Sequence, residues 1–199
     1  TPDLINVAVV LLPRMSNFTD FNALAAEKDV ALRFAASPDD LRGADVVILP
    51  GSKNTLDDLD YLVTSGFPSA VESHVRRGGE LVGICGGYQM LGQEIADPKG
   101  LERGGTSTGL GFLDVTTELD APKICRQVRA TSLLRGVEHH APVRGYEIHM
   151  GRTSRGIANP CFQIAASELW EGNARGDEGA ASENGRIWGT SIHGLFDQA

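Results

Sequence analysis

The sequence predicts an α/β domain in which a mainly parallel sheet is flanked by helices, with extra antiparallel strands in the second half. In the first 95 residues, short β-branched apolar runs alternate with segments whose apolar residues recur at helical spacing. This alternation is typical of a parallel sheet wound with helices. The remaining residues contain several strand-like segments with few helices between them. We expect residues 1–199 to form one domain.

The first half contains four predicted strands and three predicted helices. The run Ile5–Leu12 is almost wholly apolar, which is typical of a strand buried on both faces. Thr55 is suited to be the N-cap of a helix whose leucines recur with a 3.6-residue period. The predicted elements are strands Ile5–Leu12, Val30–Ala35, Asp45–Leu49 and Glu80–Ile84, and helices Thr55–Val63, Pro68–Arg77 and Gly86–Ile95.

The second half is predicted to consist mainly of strands and loops. Asp97–Gly109 is rich in glycine and predicts a connection. Glu171–Arg186 lacks large apolar residues and periodicity, which predicts a solvent-exposed hairpin loop or a mobile segment. The predicted strands are Phe112–Thr117, Arg126–Ala130, Val143–Met150, Phe162–Ala166 and Arg186–Ile192.

Composition and charge exclude several classes of protein. Apolar residues make up 41% and charged residues 22%, as in globular proteins. The net charge of −8 argues against nucleic acid as a partner. No apolar run is long enough to cross a membrane, and no signal-peptide pattern is present. The three cysteines form no CxxC pair, so we expect no metal site and a reducing, cytoplasmic setting.

Cys85 is the strongest candidate for a nucleophile. It follows a predicted buried strand and directly precedes a predicted helix, which makes the segment a cysteine counterpart of the G-x-S-x-G elbow. Gly83 and Gly87 lie where a Cβ would clash across such a tight turn. The N-terminus of the following helix favours thiolate over thiol. The alternative is that Cys85 is a small buried apolar residue.

A thiolate nucleophile needs a base, and His193 is the best candidate among five histidines. It follows the predicted strand Arg186–Ile192, and the carboxyl end of a strand can reach a site above another strand of the same sheet. The alternative for His193 is a hydrogen-bonded core histidine. Of the remaining four, His149 lies in a strand-like segment, and three lie in polar segments expected to face solvent: His74, His139 and His140.

Backbone N–H groups of two glycines are candidate oxyanion donors. Gly86 directly follows Cys85, as the residue after the nucleophile does in a nucleophile elbow. Gly51 follows the predicted strand Asp45–Leu49 and can turn its N–H toward a neighbouring strand end. An ordinary turn after Pro50 is the alternative explanation of Gly51.

Five segments together carry a resemblance to a known family. The pattern G-x-C-x-G-x-Q in Gly83–Gln89 resembles the nucleophile motif of class I glutamine amidotransferases. Four further segments resemble the C-terminal amidotransferase domain of cobyric acid synthases: Pro13–Asp20, Pro50–Thr55, Gly145–Arg152 and Gly189–Asp197. Because they are spread over nearly the whole chain, their joint signal is far more specific than the nucleophile motif alone.

The resemblance implies a flavodoxin-like class I glutamine amidotransferase fold and a set of roles. Cys85 corresponds to the nucleophile and His193 to its base, while Gly51 and Gly86 supply the oxyanion hole. Gln89 helps to hold the substrate, glutamine. No metal and no cofactor is implied for this domain.

One position departs from the wider amidotransferase superfamily. Many class I members carry a glutamate two residues after the catalytic histidine, and Leu195 occupies that position here. The cobyric acid synthase branch shares this difference. The group that orients His193 therefore stays open, with Glu147 and Asp197 as candidates.

The resemblance also implies a longer parent protein. The chain starts at Thr1 rather than at Met, and we expect it to be a piece of a chain with an N-terminal ATP-binding synthetase domain. That domain would use ATP and magnesium, hold the corrin substrate and amidate its carboxylates in cobalamin biosynthesis. Ammonia released from glutamine in the present domain would be the nitrogen source.

Three other functions stay open from the sequence. The first is an amidotransferase subunit that amidates lipid II in cell-wall synthesis, which has a similar elbow around its cysteine. The second is a Cys–His hydrolase on the same fold. The third is a catalytically silent domain that binds a partner.

Overall fold

The computed structural model describes residues 4–136, 141–165 and 176–197. In the first half, four parallel strands alternate with four helices. The strands are β1 (Ile5–Val10), β2 (Val30–Ala35), β3 (Val46–Leu49) and β4 (Glu80–Ile84). The α-helices are α1 (Asn22–Ala26), α2 (Thr55–Thr64), α3 (Phe67–Arg76) and α4 (Gly86–Met90). Two short 3-10 helices cover Phe18–Phe21 and Pro38–Leu41.

The described part of the second half consists of short strands. They are β5 (Glu94–Asp97), β6 (Gly105–Thr108), β7 (Val115–Glu118), β8 (Ile124–Ser132), β9 (Pro142–His149), β10 (Arg152–Arg155), β11 (Phe162–Ile164), β12 (Asp177–Glu178), β13 (Ala180–Ala181), β14 (Ile187–Thr190) and β15 (Ile192–His193).

The described strands form three sheets. The central six-stranded sheet has the order β13-β14-β4-β3-β1-β2 and is parallel except for β13. A five-stranded antiparallel sheet has the order β12-β11-β8-β9-β15. A four-stranded mixed sheet has the order β10-β7-β5-β6. The predicted fold class, a mainly parallel sheet with additional antiparallel strands, is confirmed.

The core lies around the inner strands of the central sheet, where β1, β3, β4 and β14 are largely buried. Their apolar, β-branched sequences suit strands covered on both faces. In α2, Leu56, Leu59 and Leu62 recur at helical spacing and pack into this core. Asn54, rather than the predicted Thr55, caps α2, because its side chain accepts the N–H of Asp57 at 2.9 Å.

Two helical predictions need correction. The predicted helix Gly86–Ile95 ends at Met90, and Ile95 belongs to strand β5. A Cβ at Gly92 would lie 2.7 Å from the carbonyl oxygen of Val115. The chain therefore passes too close to the backbone at Val115 for a helix that carries side chains to continue through this position. His74 is buried rather than exposed, and its Nε2 is bonded to the carbonyl oxygen of Glu80 at 2.9 Å.

The predicted loops contain more structure than expected. Asp97–Gly109 includes strand β6, and residues 176–181 of the predicted exposed segment Glu171–Arg186 are mostly buried and contain β12 and β13. Glycine and alanine pack closely between sheets without the large apolar side chains that sequence patterns rely on. Residues 166 and 171–175 of the predicted segments, and the histidines at 139 and 140, lie outside the described residues.

Within the described ranges, none of the helices has the length and apolar character needed to span a bilayer.

Candidate active site

Cys85 sits on a sharp turn between β4 and α4. Its φ of 53° and ψ of −109° place a non-glycine residue in a sparsely populated region, as the elbow pattern predicts. The neighbouring glycines are required by close packing. A Cβ at Gly83 would lie 2.7 Å from the backbone of Tyr88, and one at Gly87 would lie 2.0 Å from the carbonyl oxygen of Leu49.

The turn leaves Cys85 buried between strands of two sheets. Cys85 is 6% exposed, and its backbone N–H donates to the carbonyl oxygen of Thr190 at 2.7 Å. Its Sγ lies 3.7 Å from the carbonyl oxygen of Ile148 on β9. The nucleophile is therefore enclosed by the end of β14 on one side and by β9 on the other.

His193 lies beside Cys85 and is buried. A Cβ built on Gly51 would lie 3.2 Å from Cε1 of His193 and 3.7 Å from Cβ of Cys85, so all three residues meet at one point. The His193 ring stacks on Tyr146 with centroids 5.3 Å apart. Nε2 of His193 is buried and forms no well-aligned hydrogen bond within the described part of the chain, and the Cys85 side chain is the group that interacts with this side of the ring.

Asp20 holds the other ring nitrogen of His193. Its Oδ2 lies 2.6 Å from Nδ1, and its Oδ1 accepts the N–H of Gly194 at 3.1 Å. Burial lowers the pKa of the imidazole, but the bond to Asp20 and the adjacent Cys85 outweigh it and raise the pKa of His193 to about 9. The contacts thus place a thiol, an imidazole and a carboxylate in the order Cys85–His193–Asp20, which is the order that a nucleophile, its base and an orienting carboxylate require.

Neither sequence candidate for the orienting group takes this position. Glu147 is buried but paired with Arg126, and its Oε1 lies 4.0 Å from Nε2 of His149 rather than at His193. Asp197 is exposed. The assignment to Glu147 or Asp197 was wrong because 173 positions separate Asp20 from His193, and no local pattern connects them. The segment Pro13–Asp20, which carries part of the family resemblance, is the sequence signal that points to Asp20.

The loop that carries Asp20 is fixed to the loop that carries Gly51. The N–H of Ser16 donates to the carbonyl oxygen of Gly51 at 2.9 Å. The buried carboxylate of Asp58 accepts the Ser52 hydroxyl at 2.6 Å and the N–H of Arg14 at 3.2 Å. Burial raises the pKa of Asp58, and these bonds oppose that rise. The two loops therefore position the orienting carboxylate and the glycine turn together.

Gly51 and Gly86 meet beside the nucleophile. A Cβ at Gly86 would lie 3.0 Å from the backbone nitrogen of Ser52, so the two turns are in close contact. The first N–H groups of a helix have no intrahelical partner, and Gly86 is the first residue of α4. The predicted oxyanion hole stays a prediction. It requires the N–H groups of Gly51 and Gly86 to lie close together beside Cys85, and the contact between the two turns agrees with that requirement.

Gln89 lies in α4, buried below the site. Its amide oxygen accepts the hydroxyl of Thr55 at 3.2 Å, and its amide nitrogen donates to the carbonyl oxygen of Met150 at 3.2 Å. These bonds tie α4 to α2 and to the end of β9. The predicted role of Gln89 in holding glutamine stays a prediction.

The family model for CobB/CobQ-like glutamine amidotransferase domains matches residues 6–199. The chain belongs to this family. Its sequence is 46% identical over 98% of the chain to a protein named cobyric acid synthase from Vibrio campbellii, and 44% identical over 98% to one from Syntrophobacter fumaroxidans. The chain spans 39% and 38% of the lengths of these relatives.

Solved structures agree with the amidotransferase family on the fold. A chain of the PurLQS structure from Thermotoga maritima superposes with a TM-score of 0.72 at 19% identity, covering 94% of this chain and 86% of that one. A structure described as a glutamine amidotransferase gives a TM-score of 0.64 at 18% identity, covering 95% and 90%. The predicted class I amidotransferase fold and the predicted family are both confirmed.

Proposed function

We propose that the chain hydrolyses glutamine at Cys85 and supplies ammonia for amidation of corrin carboxylates within a longer protein. The observation that carries the proposal is the buried arrangement of Cys85, His193 and Asp20 in a glutamine amidotransferase family member. A buried histidine with one nitrogen held by a carboxylate and the other beside a thiol is suited to acyl transfer.

The first half-reaction breaks the amide bond of glutamine. The Cys85 thiolate attacks the side-chain amide carbon, and the N–H groups of Gly51 and Gly86 stabilise the oxyanion. The protonated His193 donates a proton from Nε2 to the leaving nitrogen. Ammonia departs and a γ-glutamyl thioester on Cys85 remains.

The second half-reaction regenerates the thiol. His193, now neutral, removes a proton from water, which attacks the thioester carbonyl carbon and releases glutamate. Asp20 accepts a hydrogen bond from the Nδ1–H group of His193 throughout, which fixes the tautomer that presents Nε2 to Cys85. In this account Asp20 orients His193 and does not itself take up the proton.

The acceptor chemistry belongs to the part of the protein beyond this chain. We place an ATP- and magnesium-dependent synthetase domain there, which activates carboxylates of a corrin ring, and no cofactor in the present domain. The relatives named cobyric acid synthase support this assignment, since the matched region is 39% of the first one's length. Direct transfer between docked domains would keep ammonia from being protonated and lost by diffusion.

The test uses the full-length protein with either glutamine or ammonia as the nitrogen source. Cys85→Ala is expected to abolish glutamine-dependent amidation of a corrin acceptor and to leave ammonia-dependent amidation intact. Cys125→Ala, which removes an exposed cysteine, is the matched control and should support both reactions. Glutamine-dependent turnover by the Cys85→Ala variant would refute the proposal. Amidation of a muropeptide in place of the corrin would refute the assigned acceptor alone.

A further inference from the structure

Two chain segments cross side by side between the central sheet and the five-stranded sheet. β12 pairs with β11, and after Gly179 the chain continues as β13, which pairs with β14. β14 pairs with β4, and after Ser191 the chain continues as β15, which pairs with β9. Gly179 has a φ of 70°, and a Cβ there would lie 2.5 Å from the carbonyl oxygen of Gly189. Only glycine lets the two crossings lie this close.

Glu178 is buried at this double crossing and binds the segment between β14 and β15. One carboxylate oxygen accepts the hydroxyl of Thr190, and the other accepts the N–H of Ser191 at 2.7 Å. The Thr190 hydroxyl oxygen in turn accepts the N–H of Ile192 at 3.1 Å. Glu178 thus binds Thr190 and Ser191 directly and Ile192 through the Thr190 hydroxyl.

The segment held by Glu178 is connected to both reacting side chains. The carbonyl oxygen of Thr190 accepts the N–H of Cys85, and His193 lies two residues beyond Ser191. We propose that Glu178 is a positioning residue that sets the placement of His193 relative to Cys85 by fixing Thr190 and Ser191. The inference rests on the proposed glutaminase function and adds to Asp20 a second buried carboxyl group that acts on the placement of His193.

The surroundings of Glu178 come from four other parts of the fold. Glu178 interacts electrostatically with Tyr88 of α4, Cys161 just before β11 and Glu147 of β9. Arg155 of β10 donates to the carbonyl oxygen of Gly179, the next residue along the chain. Tyr88 and Cys161 are buried, and burial raises the pKa of each well above its ordinary value. Both are therefore neutral near neutral pH, and Glu178 is a buried carboxyl group whose nearest titratable neighbours, Tyr88 and Cys161, carry no charge.

A carboxylate in this setting is costly. Burial raises the pKa of Glu178 to about 7, although the bonds from Thr190 and Ser191 favour the charged form. A neutral side chain of the same shape would fill the same space without that cost. The cost is consistent with a role in the active site rather than in core packing.

The test compares two substitutions of Thr190 in this chain. Thr190→Val keeps the shape and the backbone carbonyl that Cys85 bonds, and it removes only the hydroxyl that Glu178 binds. Thr190→Ser restores the hydroxyl and removes the methyl group. Two assays are used: steady-state kinetics give kcat and KM for glutamate release from glutamine, and a second assay follows the rate of alkylation of Cys85 by iodoacetamide across pH. Circular dichroism establishes that each variant is folded.

A positioning role predicts that Thr190→Val lowers kcat about 10- to 100-fold with KM within about twofold, as for a misplaced reacting group. It also predicts that the rate of alkylation of Cys85 differs from that of wild type and that Thr190→Ser stays within about threefold of wild type in kcat. The inference is overturned if Thr190→Val keeps the wild-type kcat and alkylation profile. It is equally overturned if Thr190→Ser loses as much activity as Thr190→Val, since packing would then explain the loss.

Glu178→Gln gives a second comparison in which Thr190 is unchanged. The wild-type kcat should fall as pH drops through about 7, where Glu178 gains a proton, and this step should be absent in the variant. The same step in both proteins would contradict the inference. A wild-type chain that releases no glutamate would refute the proposed function instead. In that case the alkylation profiles of the Thr190 and Glu178 variants still decide the positioning role.

Discussion

Replacing Glu178 with glutamine is expected to stabilise the protein above neutral pH while it impairs catalysis. The pKa of Glu178 is about 7 in the folded protein, against an ordinary value of 4.5 that we take for the unfolded chain. Between these two values the folded protein binds the proton and the unfolded chain does not. The free energy of unfolding therefore falls as pH rises from about 4.5 to about 7, and the loss is complete above that range.

The size of the effect follows from the two pKa values. A difference between 4.5 and about 7 corresponds to about 3 kcal/mol, at about 1.4 kcal/mol per pH unit. Glutamine resembles the protonated form of glutamic acid, so the free energy of unfolding of Glu178→Gln should match that of wild type at about pH 4.5. At about pH 8 the variant should be more stable by up to about 3 kcal/mol.

The assay is urea unfolding of both proteins at several values between about pH 5 and about pH 8. Glu183→Gln is the matched control, since Glu183 is an exposed carboxylate five residues away on the same segment. The free energy of unfolding of Glu183→Gln should stay close to that of wild type at every pH. A stability difference for Glu178→Gln that does not grow with pH would refute the reasoning about the buried carboxylate.

Two further predictions concern the groups that surround His193. Asp20→Asn should lower kcat for glutamate release by about 100-fold or more, because an amide does not fix the tautomer of the imidazole as a carboxylate does. Asp197→Asn is the control and should keep wild-type activity, and equal losses in the two variants would contradict the assignment of Asp20. Gly51→Ala should lower kcat about 10- to 100-fold, since its Cβ would lie 2.8 Å from Oγ of Ser16 and 3.2 Å from Cε1 of His193. A wild-type kcat for Gly51→Ala would show that this turn tolerates displacement.

The nucleophile elbow and the parallel half of the fold were predictable because their signals are local. β2 and β4 have the predicted bounds, since each is a short run between turn residues with a clear pattern of apolar side chains. The glycines beside Cys85 indicated the tight turn because a Cβ at Gly83 or Gly87 would collide with neighbouring backbone. These features needed no knowledge of distant contacts.

The features that sequence reasoning missed depend on distant residues or on small ones. Asp20 reaches His193 from the opposite end of the chain, and nothing in its local sequence marks it as a partner of a histidine. The segment Glu171–Arg186, which contains Glu178, is predicted to be a solvent-exposed hairpin loop or a mobile segment because it lacks large apolar residues and periodicity. Burial there comes from two strand crossings packed against each other, which is a tertiary property that local composition does not report.

The single predicted strand Arg186–Ile192 is another instance. It is divided into β14 and β15, which belong to different sheets. Its apolar run looks continuous in sequence, whereas in the structure Glu178 binds Thr190 and Ser191 between the two strands. The change of sheet places His193 on β15, close to Cys85, and the local sequence pattern does not indicate this change.

The most direct measurement of the central claim is covalent trapping of the nucleophile. The chain is incubated with the glutamine analogue diazo-oxo-norleucine, and the site of modification is identified by peptide mass spectrometry alongside glutamate release. The account predicts one adduct, on Cys85, formed in step with the loss of activity and prevented by excess glutamine. Continued hydrolysis of glutamine with Cys85 fully modified, or a Cys85→Ala variant that still hydrolyses glutamine, would contradict it.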